Sequence, residues 1–430
     1  MASNTVLMSV RDRWILGSII AALVMVFVLA FVILPKAYPA YGEGFGPHPW
    51  GIGLPTAEDL LVQSQRAQVL STFGGENDPN TKVKVTYLDT PEPLKGIYIT
   101  SWIAGTKTLR DKVLDLIDAT GVNAVVIDIK DATGHIAFPV NDPELKKAGS
   151  DSARITDINQ FIHELHERDV YVIGRIAVFQ DPLLAERYPA ISVKRADKLS
   201  AWKDHKGIGW VDAGSKKAWD YTIAIAKESY AHGFDELNFD YVRFPSDGDM
   251  NDIYFPYSEG KVKADVLEAF FEYLHRRLSG TGIVTSADLF GMTTTNKGDL
   301  NIGQVLNRAL PYFDYIMPMV YPSHYPAGFL NLKSPAAEPY QVVKYSMEMA
   351  REKVVAAQTL ASTTPMAQLR PWLQDFDLGA MYTAELVQAQ MKAVYDAGLT
   401  SWILWDPKVQ YTKGALLADK LAVDKKRAGH

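Results

Sequence analysis

The sequence predicts an α/β fold in which eight parallel strands, ringed by helices, close into a (β/α)8 barrel. Three observations predict it: short β-branched or aromatic runs recur from Gly96 onward, amphipathic stretches fill the gaps, and the alternation spans about 315 residues. The runs are 96–102, 123–130, 170–179, 236–244, 283–290, 314–321, a weaker one at 369–376, and 401–406. The helical stretches are 107–119, 156–168, 215–232, 262–278, 301–310, 338–356 and 383–397. Ser215 and Thr383 stand where an N-cap is expected, and Gly398 just past a helix end. A doubly wound open sheet is the competing fold. It favours a glycine-rich nucleotide loop after the first strand, and Thr100-Ser101-Trp102-Ile103-Ala104-Gly105 does not supply one.

Ahead of the barrel, Trp14 to Leu34 (WILGSIIAALVMVFVLAFVIL) is 21 residues without a charge, enough to cross a bilayer core. Arg11 and Arg13 precede it, which favours a cytoplasmic N-terminus, although Asp12 weakens the bias. A cleaved signal peptide is the alternative, but Pro35 and Tyr38 sit where small residues belong before Ala37 and Ala40. The expected organisation is a cytoplasmic segment 1–13, a transmembrane anchor 14–34 and a stalk or linker 35–94 with one short helix. A barrel 95–415 and a tail 416–430 follow. The barrel is then extracytoplasmic, held to the lipid bilayer by a single pass.

Composition narrows the partners. With 47% hydrophobic and 22% charged residues the 430-residue chain is ordinary globular material, and its net charge of −6 argues against nucleic acid. Cysteine is absent, which removes disulfides, thiolate metal sites and cysteine nucleophiles together. The nine histidines show no ligand spacing. Asp247 to Asp252 has a partial likeness to a calcium loop, yet Asp252 stands where the sharp turn wants glycine and Ser258 where a bidentate glutamate belongs. No metal and no cofactor is expected.

Residues 233–248, GFDELNFDYVRFPSDG, place carboxylates and an arginine in and beside a strand-like run. An unpaired buried charge costs several kcal/mol or more, so Asp240 and Arg243 need either each other or a task. In such a barrel the task lies at the C-terminal ends of the strands. The first strand brings Thr100 and Trp102 there, the second Asp128 and Lys130, and the third Arg175. The fourth brings Asn238, Asp240 and Arg243, the fifth Asp288 and the sixth Tyr321. The seventh brings Trp372, Gln374 and Asp375, and the eighth Trp405 and Asp406.

Carboxylates on several strands among Trp and Tyr suit a carbohydrate site, since aromatic faces cover pyranose rings while acids and amides bind hydroxyls. Glycoside hydrolysis needs two carboxyl groups, and Asp240 and Asp288 on adjacent strands are the best pair. Arg243 or Lys130 is expected to keep one ionised while burial raises the pKa of the other. The remaining strand-end residues are candidate substrate contacts. Asp128 with Lys130, and Asp240 with Arg243, also read as structural ion pairs; Trp102, Trp372 and Trp405 also read as packing.

KGIYITSW, NAVVIDIKDATG, GRIAVFQDP, GWVDAGSKKAWDY, GFDELNFDYVRFPSDG, YIMPMVYPSHY, RPWLQDF and SWILWDP, in that order from about Lys95 to Tyr411, resemble the bacterial "putative glycosyl hydrolase domain" family. The resemblance implies a TIM-barrel hydrolase of largely unknown substrate. A remoter likeness is to the chitinase fourth strand, DxxDxDxE: Asp235, Asn238 and Asp240 fall on its aspartates, but Val242 falls on the proton-donating glutamate. Substrate-assisted catalysis is therefore in doubt, and the acid has to come from another strand, Asp288 being the natural source. The expected function is a membrane-anchored glycoside hydrolase acting on an envelope or extracellular polysaccharide. A catalytically silent carbohydrate-binding or scaffolding barrel is the alternative, and a barrel lyase or deacetylase a weaker third.

Overall fold

The computed structural model describes residues 83–361 and 364–428. The span expected at 14–34 lies outside the described residues, among which no helix is long and apolar enough to cross a membrane.

The strands β1 (Lys95–Ile99), β2 (Ala124–Lys130), β3 (Tyr171–Ala177), β4 (Glu236–Asp240), β5 (Val284–Phe290) and β6 (Tyr315–Met319) lie side by side, all parallel. The seventh stave is broken into β7 (Gln368–Leu369) and β8 (Trp372–Gln374), both paired with β6. The break falls at Pro371, which has no N–H for the ladder, and this is why the run at 369–376 is weak. Finally β9 (Trp402–Trp405) joins β8 to β1 and closes the barrel.

Side chains alternate between two layers, as the period of two along a strand requires. Outward residues such as Ile97, Val125, Ile127, Leu237, Phe239, Ala287, Ile316 and Leu404 pack beneath the helices. Inward residues, among them Tyr98, Val126, Ile173, Met317, Trp372 and Ile403, fill the barrel. The helix Lys263–Leu278 shows how the outer layer is sealed: Leu267, Phe270, Phe271 and Leu274 are almost fully buried on one face. Each contributes roughly 1.5–3 kcal/mol by leaving water.

The helices Lys107–Ala119, Ile158–His166, Lys216–Ala231, Pro339–Ala361 and Ala384–Asp396 occupy the expected stretches. Three expectations are corrected. The helix expected at 301–310 shrinks to the single turn Leu306–Ala309, because Leu300, Asn301 and Gly303 all adopt positive φ and form a bend instead. Ser215 and Thr383 sit at N-cap positions, but neither side chain makes a capping hydrogen bond. The helix Lys413–Ala428 runs through the boundary expected at 415. Its Asp419 accepts hydrogen bonds from buried Lys95 at the start of β1 and from the Tyr395 hydroxyl (2.7 Å), which ties the C-terminal segment to the barrel wall.

The stretch expected as linker up to residue 94 is likewise part of the barrel in its last dozen residues. Tyr87 stacks on Tyr230 at 4.4 Å, the Leu88 amide donates to Asp235 (2.7 Å), Thr90 meets the Tyr171 hydroxyl (2.9 Å), and Leu94 enters the inner apolar layer. Just inside this floor, Arg370 donates to both oxygens of Glu236 at 2.9 Å while its guanidinium lies 3.7 Å from the Tyr315 ring centroid. Both partners are buried, and Arg370 Nε and Nη2 have no acceptor among the described residues. Breaking such a pair from one side leaves an uncompensated charge. Glu236→Ala is therefore expected to lose about 3–5 kcal/mol of stability in a urea titration, and Glu236→Met with Arg370→Leu to recover most of it. Equal losses in the single and double variants would show that the pair is not what the floor rests on.

Candidate active site

Asn238 and Asp240 share the inward parity of Glu236, and the ladder fixes their neighbours. Asn238 pairs with Arg175 on one side and Ser286 on the other, so continuing the β4–β5 register by two residues brings Asp240 beside Asp288. On β2, Asp128 stands opposite Arg175. Four adjacent strands thus deliver three carboxyl groups to one guanidinium.

Arg175 is the centre of the cluster. Its Nη1 donates to Asp128 Oδ1 at 2.6 Å, its Nη2 donates to Asp240 Oδ2, and its Nε lies 3.1 Å from that same oxygen. Asp288 Oδ2 is 3.7 Å from Arg175 Nε, so the Oδ2 atoms of Asp240 and Asp288 are at most 6.8 Å apart. The Tyr98 hydroxyl takes the second oxygen of Asp128, and the Tyr241 amide donates to Asp240 Oδ1. Burial works against the Arg175 charge, but Asp240 and Asp128 outweigh it and hold the guanidinium protonated.

The ion pairs expected within strands do not form. Lys130 turns away from Asp128: a bulge between the two shifts the register, and the ammonium meets Asp181 at 2.7 Å and the Ala177 carbonyl instead. Both Lys130 and Asp181 are almost wholly buried outside the cavity, and Asp181 caps the helix Pro182–Arg187. Arg243 does not reach Asp240 either. β4 ends at Asp240 and Tyr241 takes φ 52°, a left-handed conformation rare for an aromatic residue, so the alternation that would relate 240 to 243 is lost.

Asp288 differs from Asp240 in its partners. Its Oδ1 accepts from Trp372 Nε1 (2.7 Å) and Asn238 Nδ2 (2.9 Å), and no cation contacts it as closely as Arg175 contacts Asp240. Burial, reinforced by the negative charge of Asp240, holds its carboxyl well above the usual range, and these contacts only partly oppose the rise. With Oδ1 occupied by two N–H donors, Oδ2 is the oxygen left to carry a proton. Asp240, by contrast, is gripped by Arg175 and a backbone amide.

A cavity of about 360 Å³ opens over the cluster, lined by Arg175, Asp240, Arg243 and Asp288 among aromatic walls. Tyr321 stacks on Trp405 at 5.2 Å, and Trp372 forms part of the base. Of the expected contacts, Asp128 and Asn238 stand behind this lining, holding Arg175 and Asp288. Gln374, Asp375 and Asp406 hold loops of the rim: Gln374 bonds the Phe376 carbonyl and the Ser323 amide, Asp375 the Thr412 amide and hydroxyl, and Asp406 the Lys408 amide. Burial pushes the Asp375 carboxyl up to about 6. Trp102 is 62% exposed outside the lining, with Arg154 over its ring, and Thr100 caps the short helix Ser101–Gly105.

Sequence reasoning passed over Tyr98, Phe290, His324 and Tyr325. Phe290 was recoverable, being the last residue of its strand and in phase with Asp288. His324 and Tyr325 follow β6 in a loop whose course no strand period dictates.

No curated protein sequence matches the chain. Among solved structures it is similar to a hypothetical protein from Ruminiclostridium thermocellum ATCC 27405, at 33% identity over 45% of this chain and 96% of that one, with a TM-score of 0.41. It is also similar in fold to the glycoside hydrolase domain of PgaB (BpsB) from Bordetella bronchiseptica, at 14% identity over 75% of this chain and 99% of that one, with a TM-score of 0.54. A family match covers residues 96–411, the whole barrel from β1 to beyond β9, and by it the chain belongs to the family described as "Putative glycosyl hydrolase domain".

Proposed function

We propose that the protein cleaves an O-glycosidic bond with Asp240 as nucleophile and Asp288 as proton donor. The observation that carries this reading is the unequal hold of one guanidinium on two carboxyl groups: Asp240 takes two of its N–H groups, while Asp288 lies 3.7 Å away with its carboxyl pushed up by burial. Asp240 attacks the anomeric carbon and forms a glycosyl ester while Asp288 gives its proton to the leaving oxygen. The Asp288 carboxylate then takes a proton from water, which attacks the same carbon and releases Asp240. Tyr321, Trp372 and Trp405 supply aromatic surface for the sugar, and Arg175 holds the nucleophile in place. The 6.8 Å upper limit favours retention, for which carboxyl groups stand about 5–5.5 Å apart against about 6.5–9.5 Å for inversion.

The apolar segment 14–34 supports a bilayer anchor, an extracytoplasmic barrel, and an envelope or extracellular polysaccharide as substrate. Deleting residues 1–34 is expected to move the protein from the membrane to the soluble fraction; retention on washed membranes would count against the anchor. Deep burial of Asp288 favours the competing reading, a carbohydrate-binding barrel without catalysis.

The decisive assay is reducing-end release from a panel of polysaccharides by the full chain in detergent. Asp288→Asn is expected to slow release on the order of 10²–10⁴-fold and Asp240→Asn at least as much, with the first-formed anomer retaining configuration by NMR. A panel that binds but is never cut would put the binding reading ahead. Stability provides an independent check. The folded state keeps a proton on Asp288 that the unfolded chain releases above about pH 4, so this group lowers stability as pH rises. The melting temperature of the parent should therefore fall more steeply between about pH 5 and pH 8 than that of Asp288→Asn, which stays neutral throughout. Parallel curves would remove the protonated carboxyl from the mechanism.

A further inference from the structure

Arg243 is a cavity-wall cation with no carboxylate of its own. Its guanidinium lies among three rings, 4.9 Å from Trp210, 5.4 Å from Tyr241 and 5.0 Å from Phe290. Nη1 donates to the Phe244 carbonyl (3.0 Å) and the Ser246 hydroxyl (3.2 Å). Nε and Nη2 have no acceptor among the described residues, and Arg243 forms no ion pair with any described carboxylate. Of the carboxylates around it, Asp247 acts on it through space without forming an ion pair, and the other two are committed. Asp240 is held by Arg175, and Asp204 accepts from Gln180 and Trp210. Arg370 also has two idle donors, but they are sealed in the barrel floor, whereas Arg243 lines the cavity.

This arrangement is physically incomplete. Burying a charge without a counterion costs several kcal/mol, and here burial does work against the charged form of Arg243. The aromatic rings stabilise the cation by its faces and fix its plane, while the edge carrying Nε and Nη2 stays free. Such an edge matches the two oxygens of one planar carboxylate, two parallel N–H···O bonds at a time.

We infer that Arg243 is the receptor for the carboxylate of an acidic sugar, so that the glycan bound in this cavity carries a uronic acid residue. This rests on the reading of the cavity as a glycan site. A carboxylate there completes the ion pair, and its single negative charge adds less repulsion toward Asp240 than a doubly charged phosphate would. The wall then selects for acidic over neutral sugars, because a neutral hydroxymethyl group leaves the guanidinium desolvated and unpaired.

The test is calorimetric binding to the full chain in detergent, carrying Asp240→Asn so that no ligand is consumed. The probes are oligosaccharides of galacturonic, glucuronic and mannuronic acid, each beside its carboxyl-reduced form. At least one acidic member should bind about 10- to 100-fold more tightly than its reduced counterpart, the range expected of a charge-assisted pair. In Arg243→Gln that ratio should collapse toward one, and in Arg243→Lys, which keeps the charge but not the fork, it should be intermediate. Circular dichroism of each variant guards against misfolding, and the ratio within one preparation is insensitive to loss of active protein. Equal affinity for acidic and reduced forms, a ratio untouched by Arg243→Gln, or no acidic ligand at all overturns the inference. Neutral glycans cut by the parent would in those cases leave the hydrolase reading standing. Acidic glycans bound by the Asp240→Asn chain but never cut by the parent would overturn the hydrolase reading alone.

Discussion

The site depends on one buried guanidinium. Arg175 reaches Asp128 and Asp240 directly and stands 3.7 Å from Asp288, and all four side chains have little exposure. In so dry a place, who touches the cation decides who is charged. Asp240 has two of its N–H groups. Asp288 has hydrogen bonds from neutral donors, a carboxylate next door and deep burial, so it keeps its proton. Two residues of identical chemistry thereby acquire opposite properties. The difference does not lie in either side chain but in the distance of each to a third.

The barrel spends its inward positions differently at its two ends. At the floor, Arg370 donates to both oxygens of Glu236 beneath a cap made by residues 84–94, sealed away from the cavity. At the mouth, the same parity delivers Arg175, Asp240, Asp288 and Trp405 to a cavity that loops extend but do not fill. The long connection after β3 supplies Trp210, which packs behind Arg243, and the turn after β4 supplies Tyr241 to the wall in a left-handed conformation. At this end a left-handed aromatic residue and an arginine without an ion pair lie where a ligand can use them.

Much of this was legible in the residues. β-branched and aromatic runs marked every stave, and helical periodicity marked the main outer helices, because burial on a two-residue or 3.6-residue period leaves a direct imprint on composition. Period two also put Asn238 and Asp240 on one face, and Asp288 at the end of its own strand. The errors share a cause. Lys130 beside Asp128, and Arg243 after Asp240, looked like partners because they are near in the chain. A bulge re-aimed the first and a positive φ re-aimed the second, and neither feature has a dependable signature in side-chain chemistry.

The amino-acid sequence by itself determined the barrel, the order of its staves and which polar residues end them, since these follow from local periodicity and strand direction. Only the tertiary structure decided which charges meet, because the pairing of Arg175 with Asp128 and Asp240 runs across strands whose register local sequence does not encode. It decided, too, that burial pushes the Asp288 carboxyl up and that Arg243 faces the cavity without an ion pair to a described carboxylate. Both are properties of distance and desolvation, and these exist only once the sheet has closed.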